Sequence, residues 1–226
     1  MLREDLGGVP EQRLQWAVTR RSETDYVFDF WTALGWTILT CGIYGLYVFY
    51  RLFWRSVEHN KRRLEVLDAA RWLAWERTTA SGRAEELTPR FQALGVHIAE
   101  LQQLTTEFRD PVIWTIIAAV SSGIGHVVGY VFLDQDLVRH DRAEQAAEQE
   151  LAAIFAALEV PVSLPAAGPT KQAHSYVGRI VALLATCGFY GLWWSYDLMV
   201  EGNEHQRRSW ASDDAFWVAA GALAQR

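Results

Sequence analysis

The sequence predicts an all-α integral membrane protein, with three repeated hydrophobic helical segments joined by cytoplasmic amphipathic helices. Three observations predict it. A Thr or Ser, a Gly two places on, a Leu ten residues past that Gly and a His seventeen past it recur three times without insertion: Thr40, Gly42, Leu52, His59; Ser121, Gly123, Leu133, His140; Thr186, Gly188, Leu198, His205. Each copy lies in an apolar stretch, and residues 30–50, 111–133 and 180–196 contain no Asp, Glu, Lys or Arg. At about 1.5 Å per helical residue, such stretches cover most or all of a hydrocarbon core of about 30 Å. Finally, the chain carries 11 Trp, whose amphipathic rings favour the lipid–water boundary. Trp31, Trp54, Trp193 and Trp194 are placed at that boundary, and Trp36 and Trp114 in a packed interior.

In chain order, residues 1–25 form a mixed-charge leader without the short apolar region and small-residue site of a cleavable signal peptide, so the first apolar segment is expected to serve as its own insertion signal. Membrane repeats are expected at 26–60, 111–142 and 175–208. Segment 61–110 reads as two helices. Leu64, Leu67, Ala70, Leu73 and Ala74 share a face of the first, which ends at Ser81-Gly82. Thr88-Pro89 resembles an N-cap with Pro at the first helical position, and Phe91, Leu94, Ile98, Leu101, Thr105 and Phe108 form one stripe on the second. That stripe either packs within a helical bundle or docks a partner. Asp110-Pro111 repeats the cap signal ahead of the second repeat.

Segment 143–174 continues a helix over 141–158, with Ala147, Leu151, Ile154, Phe155 and Leu158 on one side, then a linker with Pro161, Pro165, Gly168 and Pro169. Seven acids against two arginines over 134–159 argue against nucleic-acid binding. The tail 209–226 is amphipathic, with Trp210, Phe216 and Trp217 as interface anchors. Cys41 and Cys187 occupy the same repeat position and read as buried small hydrophobes rather than as a disulfide.

Copies one and three read TCGIYGLYVFYRL and TCGFYGLWWSYDL. Gly42 with Gly45, and Gly188 with Gly191, clear a helix face for a close neighbour, with Tyr44 and Tyr190 projecting opposite; Gly123 holds the equivalent place in copy two. These strings resemble the Gly-Ile-Tyr-Gly signature of an uncharacterised bacterial membrane family, domain of unknown function 4234, and Asn203, His205 and Trp210 extend the resemblance. Copy two departs from it, with Gly125 for the Tyr and His126 for the second Gly. The resemblance covers about a third of the chain and implies a location in the bacterial cytoplasmic membrane more than an activity.

Two topologies fit the lengths. Straight spans would point the middle copy opposite to its neighbours, whereas re-entrant hairpins turning at the Gly would share one orientation. Straight spans are favoured, because a turn at bilayer depth leaves backbone groups unsatisfied unless protein buries them. The positive flanks after copies one and three then place 55–109 in the cytoplasm.

Chemistry rests on histidine. His59, His140 and His205 would meet under pseudo-threefold packing, a ligand set suited to zinc, although opposed spans would scatter them and no zinc-ligand pair is recognised on a single helix. At the membrane exit each would otherwise interact with headgroups or helix-end carbonyls. His126 lies mid-segment, where an ionisable group usually faces a polar contact or pathway. No phosphate-binding Gly loop, GxSxG, HExxH or CxxC is present. The leading expectation is therefore a non-enzymatic membrane scaffold or anchor without a cofactor, whose partners are the lipid bilayer and a protein partner or second copy, with no nucleic acid. A small transporter is second and a metal-dependent membrane enzyme third.

Overall fold

A computed structural model describes residues 9–106, 109–166 and 174–225. Among these the regular structure is entirely helical: α1 (Pro10–Thr19), α2 (Arg21–Thr24), α3 (Phe30–Leu39), α4 (Ile43–Ala80), α5 (Ala84–Thr106), α6 (Pro111–Val120), α7 (Ile124–Ala157), α8 (Tyr176–Ala185) and α9 (Tyr190–Ala224).

Each sequence repeat is a helical hairpin. A ten-residue arm (α3, α6 or α8) rises to a turn, and a long helix (α4, α7 or α9) descends from it. Straight spans are overturned, because two successive residues turn left-handed at the same point in every copy: Cys41 and Gly42 (φ 51° and 92°), Ser122 and Gly123 (50° and 94°), Cys187 and Gly188 (49° and 95°). Gly takes the second position because it alone adopts that φ without a Cβ clash. No described helix is long and apolar enough to cross a membrane.

The turn satisfies its own backbone, which removes the objection to hairpins. Gly42 N–H donates to Thr37 O at 2.8 Å, and Gly188 N–H to Leu183 O at 2.8 Å. Thr40 works in both directions: its hydroxyl donates to Trp36 O at 2.7 Å and accepts from Tyr44 N–H at 2.9 Å, so one side chain closes the arm and opens the long helix. Thr186 does the same for Ala182 and Tyr190, and the Ser121 hydroxyl accepts from Gly125 N–H at 2.7 Å. Gly42, Gly123 and Gly188 thus serve a turn, whereas Gly45 and Gly191 lie where the arm helix approaches the long helix. A Cβ on Gly42, Gly123 or Gly188 would meet nothing, whereas one on Gly45 or Gly191 would press on Thr37 or Leu183 of the same hairpin. Tyr44 and Tyr190 half-bury against the apolar cluster at the hairpin base.

Every arm is capped thirteen residues before its Gly. Asp29 accepts from Thr32 N–H, Asp110 from Val112 and Ile113 N–H, and Ser175 from Gly178 N–H. Ser81-Gly82 ends α4 as expected, but α5 begins at Ala84 and carries Pro89 inside it. Thr88 bonds back to Ala84 O and caps nothing.

The three long helices descend in the same direction and pack together. Counting from the turn glycine, positions 3, 10 and 17 are Gly45, Leu52 and His59 on α4; His126, Leu133 and His140 on α7; Gly191, Leu198 and His205 on α9. A seven-residue step is two helical turns, about 10.5 Å, so each set forms a layer facing the shared axis. Leu52, Leu133 and Leu198 are buried as one such layer.

Below the histidine layer, α5 packs on α4 and α7. Leu94, Ile98 and Leu101 are buried there with Leu67, Ala147, Leu151 and Phe155, while Phe91 is half-buried against Trp75. The stripe proposed as a docking surface is therefore internal, and Phe108 lies outside the described residues, as do linker residues Gly168 and Pro169. Phe216 on α9 joins the same core, so the tail is a helical continuation and not an interface anchor. Cys41 and Cys187 are exposed at the turns, Trp36 is half exposed and Trp194 is buried, each opposite to expectation, because the hairpin turns outward where a span would have packed.

Candidate metal centre

Parallel descent brings His59, His140 and His205 into one layer, one from each long helix. Their ring centroids lie 4.9 to 5.5 Å apart. Glu144, one turn below His140 on α7, completes the group. His59 Nε2 and His205 Nε2 are 3.0 Å apart, and Glu144 Oε2 lies 3.2 Å from both His140 Nε2 and His205 Nε2. All four side chains are buried. In a tetrahedral zinc site, bonds of about 2.0–2.1 Å separate neighbouring donor atoms by about 3.3 Å. Three of the donor pairs here lie at 3.0–3.2 Å, and one donor atom from each of the four residues falls within 4.8 Å of the others.

Several of these atoms are poorly satisfied by the protein. Neither ring nitrogen of His140 makes a hydrogen bond, and neither does Glu144 Oε2 despite its short distances to two imidazoles. Buried polar atoms without partners are uncommon, and two of these, His140 Nε2 and Glu144 Oε2, face each other at 3.2 Å. Burial lowers the His59 pKa to about 4 and lowers that of His140, so both imidazoles are neutral at pH 7, the form that ligates metal. For Glu144, burial would raise the pKa, but Arg63 and His205 outweigh it and hold the carboxyl well below its usual range.

The outer groups orient the ligands. His59 Nδ1 lies 3.2 Å from Asp25 Oδ1, an ion-pair distance off the line of a good hydrogen bond, and His205 Nδ1 is 3.0 Å from Asp141 Oδ1. Carboxylates behind imidazoles in this way fix the tautomer that presents Nε2 to a metal. Asp25 is itself held by Arg62 at 2.7 Å and by Trp210 Nε1 at 2.6 Å. The segment bearing it is docked by Asn203, whose amide donates to Phe28 O and accepts from Phe28 N–H. Burial would raise the Asp25 pKa; His59 and Arg62 hold it far below the usual carboxylate range, and with His59 neutral at pH 7 the guanidinium is the lasting cause.

Arg63 is fully buried and bonds Glu144, Glu148 and Asp213 together. Arg208 bonds Asp141, and Arg62 joins Asp25 to Asp213. The linked network holds five carboxylates (Asp25, Asp141, Glu144, Glu148, Asp213) against three guanidiniums, beside the imidazoles of His59 and His140, which are neutral at pH 7. A divalent cation at this layer would offset the excess of carboxylates. Burial raises Glu148 to about 7, so the network sheds part of the excess by holding a proton there.

The acid side of the stability profile follows from these groups. His59 and His140 are depressed below 6.5, so the unfolded chain binds more protons than the folded one as pH falls from 6.5 toward 4, and stability is lost across that window. Glu148, raised from 4.5 to about 7, acts oppositely, its contribution being lost as pH rises through 7. The shifts of His59 and Glu148 oppose each other at about equal size. The balance is tipped toward loss in acid by His140 and by the lowered carboxyls of Asp25 and Glu144, against the raised Asp136 and Asp197. The melting temperature of chelator-treated protein is expected to fall steadily from pH 6.5 to 4; a flat profile, or one rising toward acid, contradicts the neutral assignment of His59 and His140.

A chamber of about 40 Å³, room for a single water or two, lies between the leucine and histidine layers and is walled by all three histidines with Arg55 and Asn60. A second cluster sits nearer the surface, where His174 lies 2.9 Å from Asp134 and 3.2 Å from Glu201 and Tyr176 donates to Asp134 at 2.8 Å. Its donor atoms also lie within 4.8 Å of one another, but it is less buried than the histidine layer, and it pins the α8 entrance to α7 and α9. His126 stands apart from the metal layer, two layers nearer the turns, with its ring 4.7 Å from Phe49.

Glu144 and Asp25 were not singled out from sequence. His140 and Glu144 are four residues apart on one helix, a ligand-pair spacing that was legible, whereas Asp25 carries no local signal. Searches against family models, curated proteins and solved structures find no match to this chain.

Proposed function

We propose that this chain is a membrane-anchored metalloprotein, in which three re-entrant hairpins occupy one leaflet and a divalent ion of the zinc class clamps the long helices beneath them. The convergence of one donor atom each from buried His59, His140, His205 and Glu144 to within 4.8 Å of one another carries the reading. Four protein donors form a closed set, which suits a structural clamp better than a catalytic ion with an open position. The leading role is thus a non-enzymatic scaffold whose bundle is fixed by metal.

Membrane anchoring is supported by the hairpin tips. Leu39, Ile43, Val120, Ile124, Leu184 and Phe189 flank the three turns and are each at least 70% exposed. A ten-residue arm spans about 15 Å, half of a hydrocarbon core of about 30 Å. At the base of each hairpin an arginine lies over aromatic rings: Arg51 on Tyr26 and Trp54, Arg109 on Phe132, Arg179 on Trp194. Cation and aromatic pairs of this kind suit the headgroup level. The resemblance to the Gly-Ile-Tyr-Gly family favours the bacterial cytoplasmic membrane.

The test is flotation with phospholipid vesicles. The parent is expected to float, whereas the triple change Ile43→Asp, Val120→Asp and Leu184→Asp remains in the dense fraction, with unchanged helical content because all three side chains are exposed. Parent protein that stays in the dense fraction overturns the anchoring half of the proposal.

The small chamber walled by the three histidines favours a second reading, in which a metal-bound water replaces Glu144 as fourth ligand and Glu144 serves as general base. Cobalt substitution separates the two. A visible spectrum unchanged by added azide fits the closed clamp; an azide-dependent spectrum fits an exchangeable position.

A further inference from the structure

We infer that the half-open cleft between the three hairpins above the leucine layer holds the acyl chain of a membrane lipid. The cavity measures about 690 Å³, within the range of sites that enclose small molecules, and takes wall residues from all three hairpins, among them Leu34, Val127, Leu183 and Leu192. No Asp, Glu, Lys or Arg lines it, so a phosphate or carboxylate headgroup would meet no cation inside. Its boundary includes all three turn glycines, amid the exposed apolar tips, and its inner end is formed by Tyr130 and Trp194, whose rings lie 5.8 Å apart.

The bundle's own repeat creates this space. One heptad above Leu52, Leu133 and Leu198, the axis positions are Gly45, His126 and Gly191, so two of three core side chains are missing where a continuous bundle would carry leucines. Protein interiors are otherwise packed without voids of this size, and an apolar cavity is filled by apolar matter where that is at hand. With the tips at the level of lipid tails, a hydrocarbon chain is that matter. The occupant rests on the membrane reading given above.

The experiment reconstitutes the full-length protein in phosphatidylcholine vesicles containing a phosphatidylcholine with a diazirine near the end of one acyl chain. After flotation and irradiation, the labelled residues are mapped by mass spectrometry. Labelling is expected on Val127 and Leu183 as well as on outward-facing Val181, which is 59% exposed. In the variant Val127→Trp with Leu183→Trp, which fills the space, inner-wall labelling, read at Leu34 and buried Val48, is lost and Val181 remains labelled. Floating parent protein labelled only on outward faces overturns the acyl-chain inference alone, as does inner labelling undiminished in the filled variant. Parent protein that fails to float removes both the inference and the anchoring it rests on. Single substitutions Val127→Phe and Leu183→Phe, which fill less, are expected to give intermediate inner labelling if the double variant fails to fold.

Discussion

Purified without chelators, the protein is expected to carry close to one zinc-class ion per chain, and removal of that ion to lower its melting temperature by about 10 °C. A ligand at a thousandfold excess over its dissociation constant stabilises the folded state by about 4 kcal/mol, and for a chain of this length each kcal/mol moves the midpoint by about 2–4 °C. The ion joins α4, α7 and α9, whose contributions to the site come from positions 59, 140, 144 and 205. Replacing His59, His140 and His205 together by Ala abolishes metal retention, whereas His174→Ala, outside the layer, leaves it at parent level. Elemental analysis and thermal melts with and without chelator read both effects. Parent protein that is metal-free, and whose midpoint is unmoved by added zinc or by chelator, overturns the metal proposal.

Arg63→Met is expected to cost about 3–5 kcal/mol, a fall in midpoint of about 10 °C. The guanidinium is fully buried and is bonded to three carboxylates on two other helices, which raise its pKa against the lowering effect of burial. Removing it leaves the buried Glu144 carboxylate without its guanidinium, Asp213 with Arg62 alone, and Glu148 driven further toward its protonated form. Arg63→Lys recovers little, because one ammonium cannot reproduce a planar fork that meets three partners. Arg63→Met combined with Glu148→Gln and Asp213→Asn recovers most of the loss, since two of the three acids that lose their partner are then uncharged. Denaturant unfolding measures each variant; an Arg63→Met loss below about 1 kcal/mol would show that the network is solvated and not buried.

The two effects are coupled through Glu144, whose Oε1 faces Arg63 and Ser209 while Oε2 faces the imidazoles. One carboxylate thereby links the charged belt to the metal layer. Loss of Arg63 is expected to weaken metal retention as well as the fold.

Much of this arrangement was legible locally. The repeat of Gly, Leu and His is a statement about helical register, since residues seven apart return to one face whatever surrounds them. The caps at Asp29 and Asp110 and the stop at Ser81-Gly82 followed from side-chain chemistry that needs no tertiary partner. The stripe from Phe91 to Leu101 reads as one face, with packing in the bundle favoured over a partner, and it lies in the core; period alone does not make that choice, because a buried stripe and a docking stripe have the same period.

By itself the sequence determined three equivalent units, each with an apolar upper part, a turn-forming Thr or Ser and Gly, and a histidine two turns below a leucine. The direction of each long helix was decided only in the folded chain. A glycine inside an apolar run is compatible with a straight helix and with a left-handed turn; the turn wins here because Thr40, Ser121 and Thr186 satisfy the backbone it exposes and the arms pack back on their own long helices. Once all three helices descend the same way, imidazoles 65, 81 and 146 residues apart in sequence meet in one layer, with the Nε2 atoms of His59 and His205 3.0 Å apart, and Asp25 and Glu144 close around them. Register is a property of neighbours along the chain, whereas convergence depends on the sign of each turn and on charges supplied by distant helices, and only the assembled bundle fixes those.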